Sequence, residues 1–137
     1  MSEKPLVFRQ CTEAENPPEV LQLRSYAFAP SPPLFEHKPE QREKRLAVLT
    51  DAQTFNVFED EKLLATASIT PMAHNIRGRM FDMWGVWAVA TDPTARRKGA
   101  ARQVLGKMFE AQVDAGIPIS TLYPFRESFY QRLGYVA

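Results

Sequence analysis

The run Val89-Ala90-Thr91-Asp92-Pro93-Thr94-Ala95-Arg96-Arg97-Lys98-Gly99-Ala100-Ala101-Arg102 carries the clearest chemical signal in the chain. An apolar strand ends, a proline turns the chain, and a basic loop with one glycine runs into an amphipathic helix. The first turn of a helix leaves backbone N–H groups without intrahelical partners and carries the positive end of the dipole. Gly99 lets a ligand approach the backbone closely, and Arg96, Arg97, Lys98 and Arg102 add full charges. The pattern Arg96-x-x-Gly99-x-Ala101 predicts a seat for a phosphate or pyrophosphate. The plainer alternative is a capped helix with solvated arginines. Three adjacent basic residues without interleaved aromatics are too few for a nucleic-acid contact, so no nucleic-acid partner is expected.

Other residues capable of chemistry are scattered. Asp82 lies on the apolar strand before the basic loop, where burial would raise a carboxyl pKa. Its simpler reading is a strand-end carboxylate facing solvent or holding a structural hydrogen bond. His37 and His74 are isolated, with no metal-ligand partner at sensible spacing, so no metal is expected. Cys11 is the lone cysteine and reads as a small packing residue. There is no G-x-S-x-G and no Cys–His pairing signal, so a covalent acyl-enzyme is not indicated.

The elements that hold these residues follow from pattern. Leu6 to Arg9 reads as a first strand. Asn16-Pro17-Pro18 opens a helix continued by Val20, Leu21, Leu23, Arg24 and Ala27, with Asn16 as its cap. Pro30-Ser31-Pro32-Pro33 breaks it. Glu36 to Val48 reads as a second helix with a solvated, charged face. Thr54–Phe58 and Leu63–Thr70 flank the polar turn Glu59–Lys62 as an antiparallel hairpin. Asn75-Ile76-Arg77-Gly78 marks another turn, and Phe81 to Val89 reads as a strand buried on both faces. After Gly99, the residues Ala101, Val104, Leu105, Met108, Phe109 and Val113 share one side of a helix that ends at Gly116, with Pro118 beyond. Ile119–Leu122 is one more strand, and Pro124 to Leu133 holds a short helix closed by Gly134. The expected fold class is α/β (α+β): a mixed, mostly antiparallel central sheet with helices on both faces.

Bulk properties set the frame. With 137 residues the chain is expected to be a single domain, 1–137, with a proper core. Hydrophobic residues are 45%, charged residues 24% and the formal net charge +1, which excludes disorder and gives no global basicity for nucleic acid or an anionic membrane. The longest apolar run, Trp84 to Ala90, is far too short to span a bilayer, so no membrane partner is expected. The polar N-terminus lacks a signal-like apolar region, and a single cysteine suits a reducing compartment. A cytoplasmic location is expected.

Val89–Arg102, then a helix and a strand, then Phe129-Tyr130-Gln131-Arg132-Leu133-Gly134-Tyr135, resembles the GNAT superfamily of N-acetyltransferases. The Pro-rich break after the first helix and the run Leu122-Tyr123-Pro124 resemble one subgroup, the N-terminal domain of the enhanced-intracellular-survival (Eis) acetyltransferases. The resemblance implies the GNAT acyl-CoA N-acyltransferase fold, acetyl-CoA as co-substrate and a primary amine as small-molecule acceptor. It implies that the backbone of Val89, Ala90 and Thr91 pairs with the acetyl carbonyl and the pantetheine arm. The loop of Arg97, Lys98, Gly99, Ala100, Ala101 and Arg102 would hold the pyrophosphate, with Phe125 and Arg126 near the cofactor. Tyr130 matches the residue taken as general acid toward the CoA sulfur. Relatives in the subgroup are much longer, and most GNAT domains add a final strand for which Tyr135-Val136-Ala137 leaves no room. The chain is therefore expected to lack the last strand or strands and to be the first part of a longer protein. Further domains, or a second copy as a homo-oligomer, are the expected protein partners.

Acetyl transfer to an amine needs a neutral amine, donors for an oxyanion and a hydrogen bond or proton for the departing thiolate. Backbone N–H groups near Val89 and the Tyr130 O–H suit the last two. With ordinary pKa values of ~10 for tyrosine and ~8.5 for a thiol, full proton transfer from Tyr130 is uphill by roughly 2 kcal/mol. The acceptor pocket is expected between the first helices and the start of the long strand, near Tyr26, Phe28, Phe35, Trp84 and Trp87, several of which also suit core packing. A CoA-binding or regulatory GNAT-like module without activity of its own is the alternative function.

Overall fold

The computed structural model describes residues 4–28 and 39–137. Strands β1 (Leu6–Thr12), β2 (Gln53–Glu59), β3 (Lys62–Ile76), β4 (Arg79–Thr91) and β5 (Ile119–Leu122) form one sheet in the order β1-β2-β3-β4-β5. The first four are antiparallel neighbours, and β4–β5 is parallel. A parallel pair needs a crossover, and helix α3 (Ala100–Asp114) supplies it. Helices α1 (Pro18–Phe28) and α2 (Pro39–Val48) precede β2, and α4 (Glu127–Gln131) follows β5. This is the mixed, mostly antiparallel sheet that the residue pattern predicts.

The two faces of the sheet differ in kind. On one, Phe55, Val57, Ala67, Ile69, Trp84 and Val86 pack against Val104, Leu105 and Met108 of α3. On the other, the alternate residues of β2 and β3 meet α1. Val20 and Leu23 cover Phe58, Leu63 and Ala90 there. Beside this second cluster lie Glu13, Asn16, Arg24, Thr54, Asn56, Thr66 and Ser68, all buried polar residues. Period-two alternation between apolar and small polar residues usually marks a half-solvated strand. Here both sets are buried: most of the polar set bonds within itself under α1, while Arg24 Nε, Asn56 Oδ1 and Thr66 Oγ1 have no hydrogen-bond partner among the described residues.

Several sequence expectations are corrected. Asn16 does not cap α1: its carboxamide turns inward, donating to Glu13 Oε2 at 3.0 Å and Thr54 Oγ1 at 2.9 Å. On α3 the buried stripe is Ala100, Val104, Leu105, Met108 and Gln112, whereas Val113 is 77% exposed, because it lies one position off the stripe. β4 is not buried on both faces throughout, since Arg79, Met80 and Asp82 are exposed. The cause is the length of the β3–β4 hairpin. β2 pairs with β3 only as far as Ile69, and β5 starts opposite Met83, so the outer part is a two-stranded arm. Pro71, just past the last β2 pair, has no N–H for another strand and belongs on such an edge. The arm closes on Arg77 (φ +52°) and Gly78 (φ +84°), the pairing of positive φ values that matches a two-residue turn to strand twist. Asn75 Oδ1 accepts from the Gly78 N–H at 2.8 Å. The expected start of the second helix, Glu36–Lys38, and the break at Pro30–Pro33 lie outside the described residues.

Candidate active site

The site forms where the parallel pair β4–β5 comes apart. Its register ends at Val86↔Leu122, and β5 stops before Tyr123-Pro124. β4 continues from Trp87 to Thr91 with no strand beside it on that edge among the described residues. A strand edge without a neighbour presents unpaired N–H and C=O groups. Val89 and Thr91 are half-buried here, and Ala90 is buried.

β4 is also irregular at this point. Thr66 faces Ala90 and Ser68 faces Trp87, so one residue of β3 stands opposite two of β4, Ala88 and Val89. That is a β-bulge, and Ala88 takes φ +51° within it. A residue with a Cβ in the left-handed region costs about 1–2 kcal/mol, so the surroundings must enforce it. No glycine marks the position. Its only trace is the odd interval between Trp87 and Ala90, both of which end on the α1 face.

Beyond the bulge, Asp92 organises the turn. Its N–H donates to Leu64 O at 2.8 Å, and its Oδ1 accepts from the Thr94 N–H at 2.8 Å. The Thr94 bonds and Lys62 hold the Asp92 carboxyl below its ordinary range. A 3-10 turn, Pro93–Lys98, then leads to Gly99, whose φ of +69° starts α3. The N-cap residue of α3 is Gly99, which has no side chain to cap it, and a Cβ there would meet nothing within 4 Å. Among the described residues no side chain bonds the first-turn amides of α3, and Gly99 leaves open space beside them. Ala100 is buried, Ala101 half-buried and Arg102 exposed. The backbone of Arg96, Arg97 and Lys98 lies in the 3-10 turn, and their side chains fall outside the described residues.

α4, which follows β5, carries Tyr130, buried at 3% exposure within a group of rings. Phe125, Phe129 and Tyr135 meet it edge-on at centroid distances of 5.5, 5.1 and 6.0 Å. Burial, with a smaller contribution from Tyr135, pushes the Tyr130 hydroxyl up to about 12. Tyr135 is raised by burial too, and its hydroxyl is hydrogen-bonded to Ser120 of β5. Tyr130, Leu122, Pro124, Glu127 and Tyr135 help to line a cavity of about 220 Å³. Phe125 is 73% exposed and Arg126 is exposed, both between β5 and α4.

The remaining candidates separate. Asp82 is exposed on the two-stranded arm, so the burial that would tune a base is missing. His74 is exposed on the same arm, and His37 and Phe35 lie outside the described residues. Trp84 packs in the α3-side core, 6.3 Å from Phe55, while Tyr26 and Phe28 are 49% and 61% exposed. Trp87 lies on the α1 face, its indole N–H donating to Thr70 Oγ1 at 3.0 Å and its ring 5.0 Å from the Arg24 guanidinium. Arg24 in turn donates to Glu13 Oε1 and to Ser68 Oγ, both at 2.6 Å. Residue typing did not single out this buried group, although Arg24 shares a helical stripe with Val20 and Leu23. Among the described residues, no cluster of acidic, histidine or cysteine side chains could hold a metal, and no helix is long and apolar enough to cross a membrane.

The parallel strand pair thus opens beside a bulge, in front of the N-terminus of α3. The chain belongs to the acetyltransferase (GNAT) domain family, whose model matches residues 8–137. It is similar to a probable N-acyltransferase from Enterococcus faecalis, at 26% identity and a TM-score of 0.82, over 97% of this chain and 32% of that one. It thus spans about a third of that protein's length. It shares its fold with glucosamine-6-phosphate N-acetyltransferase from Arabidopsis thaliana (15% identity, TM-score 0.75, covering 98% and 93% of the two chains). It also shares it with a predicted acetyltransferase from Clostridium acetobutylicum solved with acetyl-CoA (15% identity, TM-score 0.76, covering 97% and 91%). No curated protein matches the sequence.

Proposed function

We propose that this chain moves an acetyl group from acetyl-CoA to a primary amine by direct attack, with both substrates bound at once. The observation that carries this reading is the open edge of β4 running into α3, whose N-cap is a glycine and whose first-turn amides meet no capping side chain among the described residues. In this reading the backbone of Val89, Ala90 and Thr91 binds the acetyl and pantetheine end. The turn from Arg97 through Arg102 holds the pyrophosphate, and the exposed Phe125 and Arg126 flank the cofactor. Acetyl-CoA supplies an acyl group activated as a thioester.

The chain's own groups then have defined tasks. The β4 amides at the bulge stabilise negative charge growing on a carbonyl oxygen, and their fixed geometry spares reorganisation. Tyr130 directs its hydroxyl at the departing sulfur. With its pKa near 12 against ~8.5 for an alkyl thiol, full proton transfer from Tyr130 would cost about 5 kcal/mol. Tyr130 therefore acts as a hydrogen-bond donor to sulfur rather than as the proton source. At neutral pH about one alkyl amine in a thousand is unprotonated, so the acceptor reacts from a small neutral fraction. Asp82 lies roughly 20 Å along β4 from the bulge and has no part in that step.

The Eis-type relationship, a cytoplasmic location, and further domains or a second copy as partners belong to the same proposal. The mixed burial of the site supports one further reading. Because the one acidic candidate on β4, Asp82, is exposed and remote, the domain could serve as a CoA-binding or regulatory module that needs another part to activate its amine. Calorimetric titration with acetyl-CoA, followed by thiol release in the presence of polyamines and other primary amines, tests both. Binding with amine-dependent thiol release supports the transferase; binding without it supports the module; no binding overturns both.

A further inference from the structure

In a regular strand, residues separated by an odd interval face opposite sides of the sheet. Trp87 and Ala90 nevertheless face the same side, because the bulge adds one residue between them. Both are held by α1. Ala90 is sealed with Val20 and Leu23, and the Trp87 ring lies under the Arg24 guanidinium while its N–H is fixed on Thr70. Arg24 is itself immobilised by Glu13 and Ser68. Loss of the extra residue would turn one of the two flanks to the wrong face. The bulge is thus gripped from both ends by one helix, and Ala88 keeps its positive φ without a glycine's freedom.

We infer that Trp87 and Arg24 are positioning residues that lock the β4 bulge, and through it the amides that the proposed acetyl transfer would use. The purpose of the lock rests on the acetyltransferase reading; its existence does not. Trp87→Leu removes the ring contact and the bond to Thr70 while leaving the Arg24–Glu13 pair in place. Trp87→Phe keeps a ring beneath Arg24 but loses the N–H. Thr70→Val removes only the acceptor.

The test uses the full chain and measures amide hydrogen exchange at residues 88–90, with affinities for acetyl-CoA and for CoA. The expected result is exchange about tenfold faster in Trp87→Leu, with Trp87→Phe and Thr70→Val in between. Acetyl-CoA affinity should fall severalfold relative to CoA affinity, a ratio that general loosening of the fold would leave unchanged. Wild-type exchange at residues 88–90 in Trp87→Phe and Thr70→Val overturns the lock even if Trp87→Leu fails to fold. Faster exchange with an unchanged affinity ratio overturns its role in acetyl binding. If the wild type binds no acetyl-CoA, the transferase reading fails, and the exchange data still decide whether the lock exists.

Discussion

Replacing Tyr130 by phenylalanine removes one oxygen and keeps the ring that packs on Phe125, Phe129 and Tyr135. The fold and the cofactor seat should persist, so CoA affinity should stay within about threefold of wild type. A hydrogen bond to a group gaining charge is worth about 1.5–3 kcal/mol, which corresponds to a fall in kcat of about 10- to 150-fold. Thiol release at saturating amine reads that loss, and a titration with CoA reads the affinity. The same variant carries a stability signature. Burial raises the folded-state pKa to about 12 from ~10 in the unfolded chain. The hydroxyl adds no pH dependence while pH is below ~10, and stability is lost as pH climbs through about 12, by roughly 2–3 kcal/mol in the limit. Melting curves from pH 9 to 12 should show a steeper decline for the wild type than for Tyr130→Phe. Tyr135 titrates in both proteins, so the difference reports Tyr130 together with its repulsion from an ionised Tyr135. A kcat within twofold of wild type would remove Tyr130 from the chemistry. A collapse of CoA affinity at constant kcat would make it a packing residue of the seat.

Three further outcomes follow from the geometry. Arg102→Glu reverses an exposed charge in the first turn of α3 and should weaken acetyl-CoA binding about 10- to 100-fold at low salt, with a smaller effect at high salt; equal affinities in calorimetry would discount the pyrophosphate seat. Arg24→Met deprives the buried Glu13 carboxylate of its guanidinium and should cost about 3–5 kcal/mol in denaturant unfolding, most of it recovered in the double variant with Glu13→Leu. Gly85→Ala places a Cβ 2.6 Å from Met72 Sδ, but Met72 is 48% exposed and its chain end can swing away, so unfolding should change by less than about 1 kcal/mol.

Elements with a strong local cue were legible in the sequence. The helix after Gly99, the strand Ile119–Leu122 and the polar turn after β2 stand where pattern puts them, because periodicity and left-handed positions are encoded within a few residues. The basic turn into α3 was legible for the same reason. What stayed hidden depends on pairing between distant segments. The bulge is a count of residues across two strands, and the count is invisible along either one. Glu13, Arg24, Thr54 and Ser68 each look like surface residues alone, and only the approach of α1 to the sheet makes them a buried set. The far reach of β3 past Pro71 was missed because a proline inside a strand argues for a break unless that strand becomes an edge.

The two local rules this chain breaks meet at one place. A buried ion pair is weak evidence of stability, because the same volume filled with apolar side chains does as well or better. An alanine at positive φ is a direct cost. Neither is needed to close the sheet, whose opposite face manages with an apolar core alone. Both become intelligible once they are coupled: Arg24 can sit over Trp87 only if Glu13 and Ser68 hold it, and Trp87 can meet Arg24 while Ala90 meets Val20 only if Ala88 accepts the strained conformation. The apolar face supplies the stability, and the polar face spends part of it to fix one stretch of backbone beside the opening between β4 and β5. A helix that served only to cover the sheet would carry leucine at position 24.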